Sequence, residues 1–458
     1  MAPFHPAIFR EYDIRGVADR DFDAEFAGAL ARGYAAYLTE RKTVGRGRIG
    51  VGRDCRLTSD RYAAAVREGL LSSGLDVVDL GVGPTPVTYF ALFDLDLDGA
   101  IQVTGSHNPA EDNGFKICVG RSTIHGPELQ ALRGFVEASA GPRGSGKLET
   151  VDIAARYAAY VTTHVAHLAR PIHAVVDAGN ATAGPLAPAI FRALGCRVDE
   201  LYCTLDGRFP NHHPDPTVEA NLRDLISRVR ASGAEIGLAF DGDADRLGVV
   251  DRDGRVVWGD ELLIVFARDV LRARPGAVVV SEVKCSQRLY DDIAARGGQA
   301  IMWRAGHSPI KAKMQETGAV LAGEMSGHLF FADQYFGFDD AIYAACRLLE
   351  LLGRSGRRID QLLADLPPAF ATPEIRVDCP DAVKFKVVEA ALRHFRARYQ
   401  VIDVDGVRVR LPHGWGLIRA SNTQPALVLR FEADSPEALE QYHRDFVDVL
   451  ADIRREVG

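Results

Sequence analysis

Residues 48–74 read RIGVGRDCRLTSDRYAAAVREGLLSSG. Arg48–Arg53 is a short apolar-rich run of strand character, and TSDRYAAAVREGLLSSG from Thr58 is helical. A strand feeding a helix is the start of an α/β unit, and such units build largely parallel sheet. Further along, Val77–Leu80 and Ala100–Val103 are further short strands. The cycle restarts at His173–Asp177 (HAVVD), turns through AGNATAG and enters the helix PLAPAIFRALG. It restarts again at Ala277–Ser281 (AVVVS), turns through EVKCSQ and enters RLYDDIAARGG. Restarts at roughly one-hundred-residue intervals point to a repeated α/β unit.

The seams fall at the glycine-rich Gly141–Lys147, at RDGR near Asp253, and at LPPAFATPE, Leu366–Glu374. Beyond the last seam the character changes. PALVLRFEAD reads as a strand, and Ser435-Pro436 starts a helix as N-cap and first residue. Leu439, Tyr442, Phe446, Val449 and Ile453 recur at helical spacing on its buried face. This predicts a small separate α+β domain. A chain of 458 residues exceeds what one core serves; at about 150 residues per domain it suggests roughly three.

The bulk numbers exclude several classes. The formal net charge of -8 argues against a nucleic-acid partner, which demands a basic footprint, so any phosphate recognition is local. The seven cysteines, Cys55, Cys118, Cys196, Cys203, Cys285, Cys346 and Cys379, are odd in number and lack C-x-x-C spacing. That disfavours zinc ribbons and disulfide frameworks and suits a reducing compartment. MAPFHPAIFREYDIRG lacks the apolar core of a secretory signal, and no run approaches about 18 apolar residues. A cytoplasmic protein without a membrane partner is expected.

Four short clusters carry chemistry. Thr104-Gly105-Ser106-His107-Asn108-Pro109 directly follows the strand AIQV. Gly105 allows close backbone approach and Asn108-Pro109 forces a turn, which presents Ser106 at the carboxyl end of a strand, where α/β sheets place ligands. Gly-x-Ser-x-Gly is absent, so a serine hydrolase is disfavoured; in isolation the loop also reads as a plain turn. Asp241-Gly242-Asp243-Ala244-Asp245-Arg246 follows the apolar strand EIGLAF. In an extended segment its three carboxylates would point to one side, and a hard divalent ion would relieve their repulsion. The plainer reading is a solvated acidic turn. An EF-hand is excluded by Arg246 and Arg252 where Gly and Glu are required, and the few charges favour Mg2+ over Ca2+.

Gly323-Glu324-Met325-Ser326-Gly327-His328 sets a carboxylate two residues from a hydroxyl, suited to vicinal sugar hydroxyls, though a loop reads equally well. Arg419-Ala420-Ser421-Asn422-Thr423-Gln424-Pro425, with Arg430 beyond, offers an anion cradle or, alone, a polar turn before a strand. His212-His213 in FPNHHPDP reads as turn packing in preference to a transition-metal site.

Taken in order, these clusters resemble the α-D-phosphohexomutase superfamily, and within it the bacterial phosphomannomutase/phosphoglucomutase group. The resemblance runs from Phe9-Arg10-Glu11-Tyr12-Asp13-Ile14-Arg15-Gly16 to Arg430-Phe431-Glu432-Ala433, nearly the whole chain. It implies three related α/β domains with mixed, largely parallel sheets (1–150, 151–254 and 255–367) and a smaller α+β domain (368–458) around a central cleft. It implies that Ser106 is phosphorylated and that its phosphate completes a site for one Mg2+ with Asp241, Asp243 and Asp245. Glu324 and Ser326, flanking Met325, would hold the sugar O3 and O4 hydroxyls. Arg419, Ala420, Ser421, Asn422, Thr423 and Arg430 would form the cradle for the non-reacting phosphate. Tyr12, Lys284 and His307 match further substrate-contacting positions. Arg15, Lys116, His328, Arg246 and His107 match the catalytic set, and Lys116 needs a pKa depressed by neighbouring cations to act as a base. The implied reaction exchanges mannose or glucose 1-phosphate and 6-phosphate through a hexose 1,6-bisphosphate, and a monomer acting on small hexose phosphates is expected.

Three rivals define the alternatives. A phosphoglucosamine mutase shares the architecture. An aspartyl-phosphate phosphatase would use the strand and D-x-D of EIGLAFDGDAD, but lacks the usual Thr or Val after the second Asp. A non-catalytic sugar-phosphate sensor would have no need to keep Ser106, the three aspartates and Lys116.

Overall fold

The computed structural model describes residues 4–41, 45, 47–138, 141–421 and 425–457. The chain forms two compact units, Met1–Leu262 with Ser326–Leu362, and Leu263–Met325 with Leu363–Gly458.

In the first unit, one sheet runs in the order Ile14–Val17, Asp112–Val119, Gly99–Val103, Arg48–Arg53, Asp76–Val82, Leu148–Thr150. Arg48–Arg53 is parallel to both its neighbours, whereas Asp112–Val119 is antiparallel to Ile14–Val17, to Gly99–Val103 and to the short Ser122–Thr123. All five residues of Gly99–Val103 are buried, as expected of a strand covered on both faces. Alternate residues divide the work. Ile49, Val51, Ile101, Val103, Phe115 and Ile117 join a core with Phe26, Leu30, Tyr62, Val66, Leu129 and Leu132 from three helices, Ala24–Arg41, Ser59–Leu71 and Pro127–Ala138. Each such side chain, fully buried, contributes about 1.5–3 kcal/mol. On the opposite parity, Gln102 meets the helix Thr85–Asp94 through Thr88 Oγ1, which donates to Gln102 Oε1 at 2.6 Å.

The second sheet of this unit runs Val256–Val257, Leu247–Asp251, Ile236–Phe240, His173–Asp177, Arg197–Leu201. Ile236–Phe240 is parallel to His173–Asp177 and antiparallel to Leu247–Asp251, so Asp241–Arg246 is the loop of a hairpin. The same unit holds an aromatic cluster around Asp340, which caps the helix Ala341–Ser355. Asp340 accepts from the Tyr343 N–H at 2.9 Å and from the hydroxyls of Tyr157 and Tyr335 at 2.9 and 2.8 Å. Tyr335 and Tyr343 stack at 3.9 Å. Burial pushes the Asp340 carboxyl up to about 7 despite these donors.

In the second unit, Gln299–Trp303, Val278–Glu282 and Leu321–Gly323 are parallel neighbours. The C-terminal sheet is antiparallel, in the order Phe370–Ala371, Ala426–Ala433, Gly414–Ala420, Val407–Leu411, Val401–Ile402, with Ile375–Asp378 also paired to Ala426–Ala433. One parity, including Val407, Val409, Ile418, Leu429 and Phe431, packs under the helices Asp381–Arg396 and Pro436–Val457. Ser435 Oγ accepts from the Ala438 N–H at 3.3 Å, as its N-cap reading expects. The expected stripe on the last helix is present, with Leu450 added to it.

The other parity of this sheet holds Arg408, Trp415, Leu417, Arg419, Arg430 and Glu432. Arg408 stacks on Trp415, its guanidinium carbon 3.7 Å from the ring centroid, and donates to the Val283 and Cys285 carbonyls at 2.5 and 2.8 Å. Those bonds bracket Lys284. All seven cysteines are free. No helix among the described residues is long and apolar enough to cross a membrane.

Candidate functional site

Ser106 sits just past the strand Gly99–Val103 with φ +47, a left-handed conformation that non-glycine residues rarely adopt. The loop is held from beneath by Arg56. Its guanidinium donates to the carbonyls of Ser106 at 2.7 Å, Asn108 at 2.6 Å and Asp112 at 2.9 Å, and also to that of Pro109. Asp54 pairs with Arg56 and accepts from the Gly105 N–H at 3.1 Å. A Cβ on Gly105 would run into the Arg56 guanidinium, which explains the glycine there. Arg15, on the edge strand Ile14–Val17, adds bonds to the Gly105 carbonyl and to Asn108 Oδ1, each 2.9 Å, and pairs with Asp13 at 2.7 Å.

The acidic loop lies directly against this one. Ser106 Oγ donates to Asp241 Oδ2 at 2.9 Å, and a Cβ on Gly242 would collide with the Ser106 carbonyl oxygen. The three carboxylates converge for a different reason from the one expected. The segment is a tight hairpin loop, with Ala244 at φ +57, in place of an extended run with alternating side chains. Asp241 Oδ1 accepts the N–H groups of Asp245 and Arg246 at 3.0 and 3.1 Å, which folds the loop back on itself. All three aspartates are buried, and each offers a ligand oxygen within 4.8 Å of the others. Asp243 Oδ1 is buried with no hydrogen-bond partner among the described residues. An all-oxygen donor set with one bare carboxylate oxygen fits Mg2+.

Lys116, on Asp112–Val119, donates to Asp243 Oδ2 at 2.7 Å and also to Asp245. Burial alone would lower its pKa, but Asp243 and Asp245 more than offset burial and raise it. The depression that a base role would require is therefore not what this arrangement produces; the close neighbours are anions and favour the ammonium form. Burial, Asp245 and Asp243 together raise the Asp241 carboxyl well above the usual range. His107 is held well below the ordinary imidazole range by burial and by the cationic Arg246 and Arg15, so its ring is neutral near pH 7. Its Nδ1 lies 3.1 Å from Ser106 Oγ. His328 Nε2 is 3.1 Å from Asp245 Oδ1 and 3.2 Å from Arg246 Nε, and Ser326 Oγ is 3.4 Å from His328 Nδ1. Tyr12 is half-buried in the bend before Ile14–Val17.

In the second unit, Lys284 pairs with Glu374 at 3.0 Å, and this lysine above all holds the Glu374 carboxyl down at about 2. Glu324 accepts the Gly306 N–H at 2.7 Å, beside the buried His307, and the Met325 N–H donates to Glu282 at 3.2 Å. Arg419 pairs with Asp405 at 3.0 Å. The sheet register sets Arg430 opposite Leu417 and Arg419 opposite Val428, making the two arginines diagonal neighbours on one face. Ala420 and Ser421 are buried at the strand end, and Lys384 Nζ donates to the Ser421 carbonyl at 2.6 Å. Asn422 and Thr423 lie outside the described residues.

The sequence reading passed over Arg56, Asp54, Thr85 and Glu374. It also treated FPNHHPDP as packing alone; His212 does cap Asp177 at 3.0 Å, but His213 reaches the His107 carbonyl at 2.5 Å and braces the serine loop. The only available hint for Arg56 was an arginine three residues after a strand end, which is too common to single out.

The chain is similar to known proteins along nearly its whole length. The phosphoglucomutase/phosphomannomutase models match as alpha/beta/alpha domain I at residues 6–138, domain II at 155–254, domain III at 258–370 and the C-terminal domain at 374–449. The phosphomannomutase/phosphoglucomutase of Pseudomonas aeruginosa is 47% identical over 451 residues, covering 98% of this chain and 96% of that protein. The phosphoglucomutase of Neisseria gonorrhoeae is 43% identical over 455 residues, 98% of each chain. The crystal structure of a phosphoglucomutase/phosphomannomutase family protein from Burkholderia thailandensis superposes with a TM-score of 0.92 at 42% identity, covering 100% of this chain and 99% of that one. With all four domains matched in order and the serine and acidic loops packed together, this chain belongs to the phosphoglucomutase/phosphomannomutase family of α-D-phosphohexomutases.

Proposed function

We propose that the chain is an isomerase that interconverts the 1- and 6-phosphates of mannose or glucose, carrying the phosphoryl group on Ser106 between two halves of the reaction. The observation that carries this reading is the buried Ser106 hydroxyl, bonded at 2.9 Å to one member of an acidic triad. Asp241, Asp243 and Asp245, with the Ser106 phosphate, would hold one Mg2+. Bound there, the ion supplies charge stabilisation to the transferring phosphoryl group.

The chain's own residues do the rest. In the first half, the phosphoserine P–Oγ bond breaks as a sugar oxygen bonds to phosphorus, giving a hexose 1,6-bisphosphate and returning a proton to Ser106 Oγ. In the second half, Ser106 Oγ bonds to the other phosphorus as the bond from that phosphorus to the sugar oxygen breaks. The proton leaves Ser106, for which Asp241 Oδ2 and the neutral His107 Nδ1 lie in reach, and one is returned to the freed sugar oxygen. Phosphoryl transfer asks mainly for alignment and charge balance, so Arg15, Arg246, His328 and Lys116 serve as surrounding cations and proton handlers. Glu324, Met325 and Ser326, with Tyr12, Lys284 and His307, would receive the sugar. Arg419, Ala420, Ser421, Asn422, Thr423 and Arg430 would take the idle phosphate. The working domain division is 1–150, 151–254, 255–367 and 368–458, and the enzyme is read as a cytoplasmic monomer activated by the bisphosphate.

Ser106→Ala tests the central claim. Turnover should fall to background, while sugar-phosphate binding by calorimetry persists and intact mass shows no phosphoryl adduct. Wild-type turnover in this variant would refute the role. A panel including glucosamine 6-phosphate separates the hexose reading from the phosphoglucosamine one.

A further inference from the structure

Asp243 has two unlike oxygens. Oδ2 accepts Thr85 Oγ1 at 2.5 Å and Lys116 Nζ at 2.7 Å, while Oδ1 is buried without a hydrogen-bond partner among the described residues. Leaving a buried carboxylate oxygen without a partner is unfavourable. The carboxylate could relieve that cost by rotating, unless something fixes it.

Thr85 provides the fixing. Its hydroxyl holds the Asp243 side chain, and its main-chain N–H donates to the Asp243 carbonyl at 2.9 Å, so one residue sets both the backbone and the carboxylate. Thr85 is fully buried and is the first residue of the helix Thr85–Asp94, with Pro84 and Pro86 on either side restricting the turn. The same helix is tied to the strand that delivers Ser106. Thr88 Oγ1 donates to Gln102 Oε1, and Gln102 Nε2 donates to the Gly83 carbonyl at 3.1 Å. Gln102 lies within Gly99–Val103 and is registered beside Lys116. One helix N-terminus therefore references both the serine strand and the acidic loop.

We infer that Thr85 is a positioning residue for the divalent cation, occupying Asp243 Oδ2 so that Oδ1 is presented to the ion in register with Ser106. This rests on the proposed reading of the triad as a metal site. In this assignment Thr85 acts through Asp243, the residue it contacts with both its hydroxyl and its N–H. A partner one bond removed from a ligand is worth about 10- to 100-fold in metal affinity.

The test uses the full chain and Mn2+ as probe, with its dissociation constant read from the electron paramagnetic resonance signal of the unbound ion. Thr85→Val keeps the shape and removes the donor; Thr85→Ser keeps the donor and removes the methyl. The expected result is that Thr85→Val weakens Mn2+ by about 10- to 100-fold, while Thr85→Ser stays close to wild type. In turnover assays, the half-saturating Mg2+ concentration should rise for Thr85→Val, with KM for sugar phosphate at saturating Mg2+ unchanged. Wild-type Mn2+ affinity in Thr85→Val overturns the inference, and so does equal weakening in Thr85→Ser, which would assign the effect to packing. Should Thr85→Val fail to fold, Thr85→Ser and Thr85→Ala decide by the same comparison. Failure of the underlying reading looks different: wild type itself would not bind Mn2+, or Asp243→Asn would bind it undiminished.

Discussion

Replacing Lys116 with methionine isolates the charge balance of the acidic loop, because methionine nearly matches the lysine stem and leaves little cavity. The Lys116 side chain is 3% exposed and serves Asp243 and Asp245, both fully buried, from 2.7 Å in the case of Asp243. At an effective dielectric of about 20, opposite charges about 4 Å apart attract by roughly 4 kcal/mol. Removing one partner of a buried pair costs about 3–5 kcal/mol, since the other charge stays behind unbalanced. In chelator, Lys116→Met should therefore melt roughly 6–20 °C below wild type, taking about 2–4 °C per kcal/mol for a domain of this size. Saturating Mg2+ restores positive charge among the same carboxylates, so it should raise the variant's Tm more than wild type's and narrow the gap. Differential scanning calorimetry with EDTA and then with MgCl2 makes the comparison. A variant that melts with wild type in EDTA, or a gap that Mg2+ leaves unchanged, would refute the account of Lys116 as the counter-charge.

Arg56→Lys replaces a planar fork serving four carbonyls by a single point of charge, so kcat should fall by up to about 100-fold through misplacement of the serine, with KM little changed; steady-state kinetics with unaltered kcat would contradict this. Arg419→Ala should raise KM roughly 10- to 150-fold, the equivalent of about 1.5–3 kcal/mol for a bond to a charged group, and an unchanged KM would clear Arg419 of phosphate binding. Asp340 has a folded pKa near 7 against an ordinary 3.8, so the folded state holds its proton more tightly. Its contribution is fully present below about pH 4 and is lost as pH rises through about 7, a span worth about 4 kcal/mol. Urea midpoints across that range should decline more steeply for wild type than for Asp340→Asn; parallel curves would count against the buried acid.

What the sequence disclosed and what it concealed divide along a physical line. RIGVGR, HAVVD and AVVVS are strands because their patterning is local, and each was legible. TGSHNP and DGDADR announced themselves because serine, glycine, asparagine and proline crowd into a turn, or because three acids sit within five residues. The partners that make those loops work were hidden. Arg56 lies 50 residues from the Ser106 carbonyl it holds, and Thr85 lies 158 residues from Asp243. Neither has a neighbour in the chain that marks it, since its meaning comes from another strand or another sheet. The acidic loop gives the same lesson in reverse. Its carboxylates were expected to converge by strand alternation, whereas the hairpin and the left-handed Ala244 bring them together. Lys116 was legible as important, but the sign of the charge closest to it was not, because Asp243 lies 127 residues away and spacing does not show which carboxylates will reach it.

The dihedral angle at residue 106 narrows the choice of amino acid more than phosphate chemistry does. Threonine offers an equivalent alcohol and serves many phosphorylation reactions, yet a branched Cβ is strongly disfavoured at φ +47. Exchange between these two alcohols, harmless on an ordinary surface turn, would here force the loop to move or the side chain to turn away. The carrier proposed for this chain is thus selected twice, once for its oxygen and once for the slenderness of the carbon that bears it.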